Sequence, residues 1–394
     1  MAYYAGLDIS MKSTNICVID EKENILLETV AKTEPDAIAQ ELQPFIDDLD
    51  IIGLEAGSMS FWLVEELRHH GLPAVCLDSR HVASILSTVI NKTDKNDARG
   101  IAKILRSKFY TVVHQKSQKS IEIGLLMTVR TGFVNDRTRK KNRIRGTLKS
   151  YGIRISTCGQ ESFVKAVQVS IKKLSVDAKK VIEIALEDYV ATEKGIAKLE
   201  KQVEKAEKLN PIITLFKTTD GIGPITALSF MADIDDPTRF LANPENIGAY
   251  LGLTPRQYSS GESVRLGGIS KSGSSALRAL LYEAAVTLLT KTQRMSPLKS
   301  WGLKLMKRMP FKQAAVAVAR KLSIVLLTMW LTGKPFEYSK PKKEKITKKK
   351  KKIPVSPEQP YPILAEPPKG VKASLRLASL GLDAFRLGSA LSNI

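Results

Sequence analysis

Histidine is scarce in this chain: four residues in 394, at positions 69, 70, 81 and 114, and none beyond. No Ser-His-Asp relay is legible for a serine nucleophile in the second half. Cysteine is scarcer still. Cys17, Cys76 and Cys158 show no CxxC spacing, which argues against a structural zinc site. Cys17 and Cys76 sit in apolar, strand-like runs and read as buried thiols in a reducing, intracellular compartment. A long uninterrupted apolar run is also missing. Ala314 to Leu331 comes nearest, but Arg320 and Lys321 break it, so it reads as a buried helix and no membrane is expected. Asp8 and Lys12 interrupt any apolar core of a signal peptide. The run Gly268-Ile269-Ser270-Lys271-Ser272-Gly273 lacks the spacing of a phosphate-binding loop, which argues against ATP use.

Acidic residues are in deficit. Lys and Arg number 61 against 40 Asp and Glu, a net charge of +21. Such a charge calls for a polyanionic partner, with nucleic acid first, because Lys and Arg release counterions from backbone phosphates. A basic tail explains only part of it. Lys340 to Lys352 holds nine Lys and one Glu, about +8, which leaves about +13 elsewhere.

The first third alternates strand and helix. Tyr3 to Ile9, Thr14 to Asp20 and Ile25 to Ala31 are β-rich, with a turn at residues 21–24. A helix follows Pro35, with Ile38, Leu42, Phe45, Ile46 and Leu49 on one face. Strand Ile51–Leu54, a helix from Ser58 to His70, strand Ala74–Leu77 and a helix near Asp97 complete the series. Three antiparallel strands followed by parallel βα units predict a mixed sheet covered on both faces, the element order of a ribonuclease-H-like domain at residues 1–112. Residues 113–209 read as a helical arm. Ile182, Ala185, Tyr189, Thr192, Ile196, Leu199, Val203 and Ala206 keep a 3-4 spacing, which predicts a coiled coil within one chain or between two. Residues 210–335 read as a compact, mainly α unit, and 336–394 as a disordered Lys- and Pro-rich tail whose end, Leu375 to Leu391, is weakly amphipathic. The Gly221-Ile222-Gly223 turn resembles a helix-hairpin-helix element, though a plain tight turn accounts for it equally well.

Four carboxylates stand where phosphodiester chemistry wants them. Asp8 lies in the expected central strand, and Glu55 ends the strand Ile51–Leu54. A buried strand rarely carries an acid without a reason. Asp94 and Asp97 are spaced i,i+3 and face one way on a helix, where capping by Asp94 is the plain alternative. Acids that converge from separate elements hold divalent metals in two-metal nucleic-acid enzymes. A second cluster is basic. Arg130, Arg137, Arg139, Lys140, Lys141, Arg143, Arg145 and Lys149 are interleaved only with Asp136, which favours nucleic-acid contact over a merely solvated face.

Gly6-Leu7-Asp8-Ile9-Ser10, Leu54-Glu55-Ala56 and Lys92-Thr93-Asp94-Lys95-Asn96-Asp97-Ala98 resemble the DEDD transposases of bacterial insertion sequences. The resemblance spans about residues 1–335. It implies a RuvC-like N-terminal domain, a coiled-coil arm and a distinct C-terminal transposase domain. By motif, Asp8, Glu55, Asp94 and Asp97 would bind magnesium, with manganese as a substitute. One departure is local: the family follows the glutamate with Ala-Thr-Gly, and here Gly57 and Ser58 follow Ala56. Leu253-Thr254-Pro255-Arg256-Gln257-Tyr258-Ser259-Ser260-Gly261 resembles the family's second signature. There the serine before the glycine is the nucleophile, which gives Ser260 that role and leaves Ser259 second. By itself, a serine beside a glycine is ordinary turn chemistry. Arg256, Arg265, Lys271 and Arg278 flank it and could hold a phosphate, Gly267, Gly268 and Gly273 permit close backbone approach, and Ser272 or Gly273 is placed to open the next helix.

The expected activity is therefore that of an insertion-sequence transposase acting as a site-specific DNA recombinase. The resemblance implies a 5′-phosphoserine intermediate, donor and target DNA, a noncoding guide RNA and a homo-oligomer, dimer or tetramer. The expected location is the cytoplasm, at the nucleoid. The alternatives are a metal-dependent RuvC-like junction resolvase or nuclease using water, and a non-catalytic nucleic-acid-binding protein on a decayed fold.

Overall fold

A computed structural model describes residues 1–87, 93–156, 159–261 and 263–338. The lysine run, the segment Leu375 to Leu391, Lys92 and Cys158 lie outside the described residues. The described chain forms two units that part at residues 115 and 116.

The first unit is a five-stranded mixed sheet. Its elements are β1 (Tyr3–Ile9), β2 (Ser13–Ile19), β3 (Ile25–Lys32), α1 (Pro35–Leu42), β4 (Leu49–Glu55), α2 (Ser60–His69), β5 (Ala74–Leu77), α3 (Ser79–Leu86) and α4 (Asp94–Arg106). The sheet order is β3-β2-β1-β4-β5. β1, β2 and β3 pair antiparallel, and β1, β4 and β5 pair parallel, as the alternation predicts. The hairpin between β2 and β3 turns where Asp20 accepts from the Lys22 and Asn24 amides. Period-two alternation sorts the strands onto two faces. Ala5, Leu7, Ile16, Val18, Ile52 and Leu54 pack against α1 and α2, whereas Tyr4, Cys17 and Ile19 pack against α4. Both thiols are buried as expected, and burial pushes Cys17 and Cys76 up to about 11, which makes them poor nucleophiles.

α4 crosses the sheet at two glycines. A Cβ on Gly6 would sit 2.1 Å from the Ala98 carbonyl oxygen and 2.5 Å from the Ala102 nitrogen. One on Gly53 would meet the Leu105 side chain at 2.8 Å. The Gly6 obstacle is backbone, so the helix must move as a body. Gly6→Ala is expected to destabilise the unit by about 2–3 kcal/mol. A urea denaturation midpoint unchanged from wild type would contradict this packing.

The second unit begins with an antiparallel pair of long helices, α5 (Gln118–Lys149) and α7 (Val176–Lys208), with α6 (Gln160–Ser170) between them in the chain. Ser117 and Ser175 cap the two long helices. Of the expected seam, Ile182, Tyr189, Thr192, Ile196 and Val203 are buried, and Ala185, Leu199 and Ala206 are half-buried. The partner of α7 is α5 of the same chain. Phe133 lies where a Cβ on Gly195 would stand, at 2.4 Å. Ile144, Leu148, Phe163, Val167 and Tyr189 close the far end. At the near end Ile123, Met127 and Val203 enter the core of the remaining helices, so arm and C-terminal part share one core.

That core is built from α8 (Pro211–Phe216), α9 (Pro224–Ile234), α10 (Asn246–Tyr250), α11 (Ser275–Thr290), α12 (Pro297–Met306) and α13 (Phe311–Thr332), with the exposed strands β6 (Pro255–Ser260) and β7 (Ser263–Ile269) between α10 and α11 in the chain. Length and composition would let α13 cross a membrane, but more than half of its apolar window is buried inside the core. Ala315, Val318, Ala319, Leu322, Leu326 and Leu327 are all in that interior.

Candidate active site

Two of the acids lie on neighbouring strands of the first unit. Asp8 is near the C-terminal end of β1, and Glu55 is the last residue of the adjacent parallel strand β4. Leu7 pairs with Leu54, so Asp8 and Glu55 are the next two positions along the ladder. Both share the parity of Gly6 and Gly53, which places their side chains on the face covered by α4. α4 runs opposite to β1: Ala98 and Ala102 stand over Gly6, and Arg106 reaches the Glu23 turn. Its first turn, with Asp94 and Asp97, therefore lies toward the Asp8 end. The capping alternative is answered in part. Thr93, not Asp94, caps α4 by accepting from the Asn96 amide.

The donor set is all carboxylate oxygen, which suits a hard cation such as magnesium. Among the described residues no three His, Cys, Asp or Glu side chains stand close enough to hold one ion. Magnesium is commonly held by one or two protein carboxylates, water and substrate phosphate. Asp8 and Glu55, near the ends of neighbouring strands, are the candidates for such a pair. The loop after Glu55 is fixed despite its departure from the family pattern. The Ser60 hydroxyl donates to the Glu55 carbonyl at 2.6 Å and accepts from the Gly57 amide at 2.9 Å. Asp78, at the end of β5, accepts from the Arg80 and His81 amides and caps α3.

A further residue positions the acidic helix, and sequence reading passed over it. Glu28 in β3 takes Lys95 at 2.6 Å on one oxygen and Arg99 at 2.6 Å on the other. Lys95 lies between the two candidate aspartates. The hydrogen bond from Lys95, with that from Arg99, holds the Glu28 carboxyl below the usual carboxylate range. A depressed acid stabilises the fold above its ordinary range, and that contribution disappears as pH falls through the lowered value. Glu28→Gln is expected to cost about 1–2 kcal/mol at pH 7 and progressively less in acid. Thermal denaturation at pH 7 and pH 3 reads this directly. A cost that grows on acidification would contradict the assignment. The only early signal was an acid inside a strand pattern, with its partners some seventy positions away.

Ser260 is not in an open loop. It ends β6, at the tip of a hairpin whose residues are almost all exposed. Directly opposed residues share a face. Tyr258 pairs with Arg265, and Ser260 with Ser263. Arg256, Tyr258, Ser260, Ser263 and Arg265 thus occupy one face, and Gln257, Ser259, Val264 and Leu266 the other. Ser259 accepts from Gln257 at 2.9 Å on that second face. Of the two serines, only Ser260 shares a face with arginines. Arg256 itself donates to the Ser270 carbonyl at 3.4 Å. Arg278 donates to the Leu251 and Gly273 carbonyls, and Lys271 sits at φ 57° beside the hairpin base. The next helix is opened by Ser274, which accepts from the Leu277 amide, and not by Ser272 or Gly273. Ser272 instead donates to the Ala249 carbonyl, and Gly273 packs on Tyr250.

The basic stretch of α5 finds acids across the arm. Arg130 meets Glu200 at 2.7 Å, Lys140 meets Asp188 at 2.6 Å, and Arg137 approaches Glu193 at 3.9 Å. Arg139 pairs with Asp136 at 3.4 Å. Lys141 and Arg145 lie over the Phe163 ring. Arg143 and Lys149 are exposed. The charge available to a polyanion is therefore smaller here than the linear run indicates.

Two family models match the chain. One, a DEDD transposase model of the IS110 type, covers residues 5–153 and so the acidic edge. The other, described as transposase IS116/IS110/IS902 family, covers residues 213–299 and so the serine hairpin. The transposase for insertion sequence element IS1111A of Coxiella burnetii is 28% identical over 323 residues, 80% of this chain and 86% of that protein. The transposase for insertion sequence element IS1328 of Yersinia enterocolitica is 23% identical over 296 residues, 73% of this chain and 85% of that protein. With the acids and the serine each inside a matched segment, the chain belongs to the IS110-type DEDD transposases of insertion sequences, enzymes that cleave and rejoin DNA.

Proposed function

We propose that this transposase is a site-specific DNA recombinase in which Ser260 is the nucleophile and Asp8, Glu55, Asp94 and Asp97 are the metal-binding acids. One observation carries the reading: two carboxylates lie at or near the ends of adjacent parallel strands, on the face crossed by a helix whose first turn bears two more. The sheet order, with three antiparallel strands leading into parallel ones, supports a ribonuclease-H-like first unit. The paired α5 and α7 support a coiled-coil arm.

In the reaction, Ser260 Oγ bonds to a phosphorus and the P–O3′ bond breaks. The products are a 5′-phosphoserine and a free 3′-hydroxyl, with the serine proton lost and a proton gained by the leaving oxygen. Arg256 and Arg265 on the same face would hold the phosphate oxygens. Asp8, Glu55, Asp94 and Asp97 would hold a divalent cation, which when bound would supply charge neutralisation for phosphate chemistry. Glu28 holds α4 in register.

DNA, donor and target, is the substrate class. The net charge of +21 is compatible with an added RNA strand, and a guide RNA and a dimeric or tetrameric assembly belong to this reading. So does action at the nucleoid in the cytoplasm. The test is incubation of the protein and magnesium with DNA spanning an insertion junction. A protein–DNA adduct stable in denaturant is the expected product. Nicked DNA without adduct favours the nuclease alternative, in which water attacks.

A further inference from the structure

The face of the hairpin that carries Ser260 also carries an aromatic ring outside every hydrophobic core. Tyr258 is 61% exposed, although a tyrosine normally buries most of its ring. It stands two residues before Ser260 and directly opposite Arg265. The ring rests across Gly267: its Cε2 lies 3.4 Å from where a Cβ on that glycine would be, and the Arg256 carbonyl oxygen and Cβ are nearby, at 3.7 and 3.8 Å. Tyr258 thus lies along the hairpin in van der Waals reach of Gly267, mostly exposed and with an arginine on either flank.

From this geometry we infer that Tyr258 is a stacking platform for an unpaired nucleobase next to the phosphate joined to Ser260. The assignment rests on the Ser260 reading. Stacking suits this position because every base has a π-face, and base–aromatic contacts tolerate sequence. A base held out of its duplex two residues from the nucleophile fixes the adjoining phosphate on the Ser260 face. Arg256 and Arg265 then neutralise the phosphates on either side. Tyr258 is accordingly a positioning residue, and DNA with a locally opened strand is the ligand.

The test uses the full chain carrying Ser260→Ala, so that binding is read without chemistry. The probes are single-stranded DNA oligonucleotides spanning the junction, one intact and a series with an abasic site at each nucleotide flanking the scissile phosphate. Adding Tyr258→Ala is expected to weaken binding of the intact strand roughly 5- to 150-fold. It should leave binding unchanged for the one abasic strand that lacks the stacked base. Tyr258→Phe and Tyr258→Trp should retain affinity, since they keep the ring. Equal binding of the intact strand with and without Tyr258→Ala would overturn the assignment. So would a loss that is the same on every abasic strand, or stronger binding of an RNA strand of the same sequence. Failure of the Ser260 reading shows separately, as absence of the covalent adduct in the wild-type protein.

Discussion

Ser260→Ala is expected to abolish both strand cleavage and the protein–DNA adduct, with a rate loss of roughly 10³-fold or more. In the proposed reaction the Ser260 hydroxyl forms the new bond to phosphorus, and the Ser263 hydroxyl on the same face donates to the Ser260 carbonyl. Ser259 is on the opposite face of β6, engaged by Gln257. Ser259→Ala should therefore keep the rate within about tenfold. The substitution is safe for the fold, because Ser260 is exposed at a hairpin tip and belongs to no hydrophobic cluster. DNA affinity should survive, since the arginines remain. Cleavage that persists in Ser260→Ala while Ser259→Ala loses it would move the nucleophile by one residue. Cleavage that persists in both would make water the nucleophile.

Asp8→Asn is the second large effect. The change keeps shape and removes one charge from the edge where β1, β4 and the start of α4 meet. The expected loss of cleavage is about 10²- to 10⁴-fold at saturating magnesium, with DNA binding within a few-fold of wild type. Glu55→Gln should behave alike, because it occupies the equivalent end of the neighbouring strand. An Asp8→Asn protein that cleaves at the wild-type rate would remove the acids from the mechanism and return the strand-end carboxylate to a structural role.

Much of this was legible in the sequence because it rests on short-range pattern. Alternation gave β1, β2 and β3, and an acid at the end of an apolar run located Glu55. The helix of Asp94 and Asp97 was visible from their spacing. What stayed hidden depends on register and long-range partners. α3 was missed as a short helix following β5 after one residue. Glu28 looks like any strand glutamate until Lys95 and Arg99 arrive from α4. The basic run of α5 looked unmatched because Asp188, Glu193 and Glu200 lie about fifty to seventy positions away. The serine segment read as turn chemistry because its strands bury almost nothing and alternate polar with exposed apolar residues. Only the pairing of Tyr258 with Arg265 shows which side chains accompany Ser260.

The most direct measurement is peptide mass spectrometry of wild-type protein trapped on junction DNA in magnesium and digested to a residual nucleotide. The account places the added nucleotide on Ser260, linked through its 5′-phosphate. A modification on any other residue, or cut DNA with a free 5′-phosphate and unmodified peptides, would contradict it.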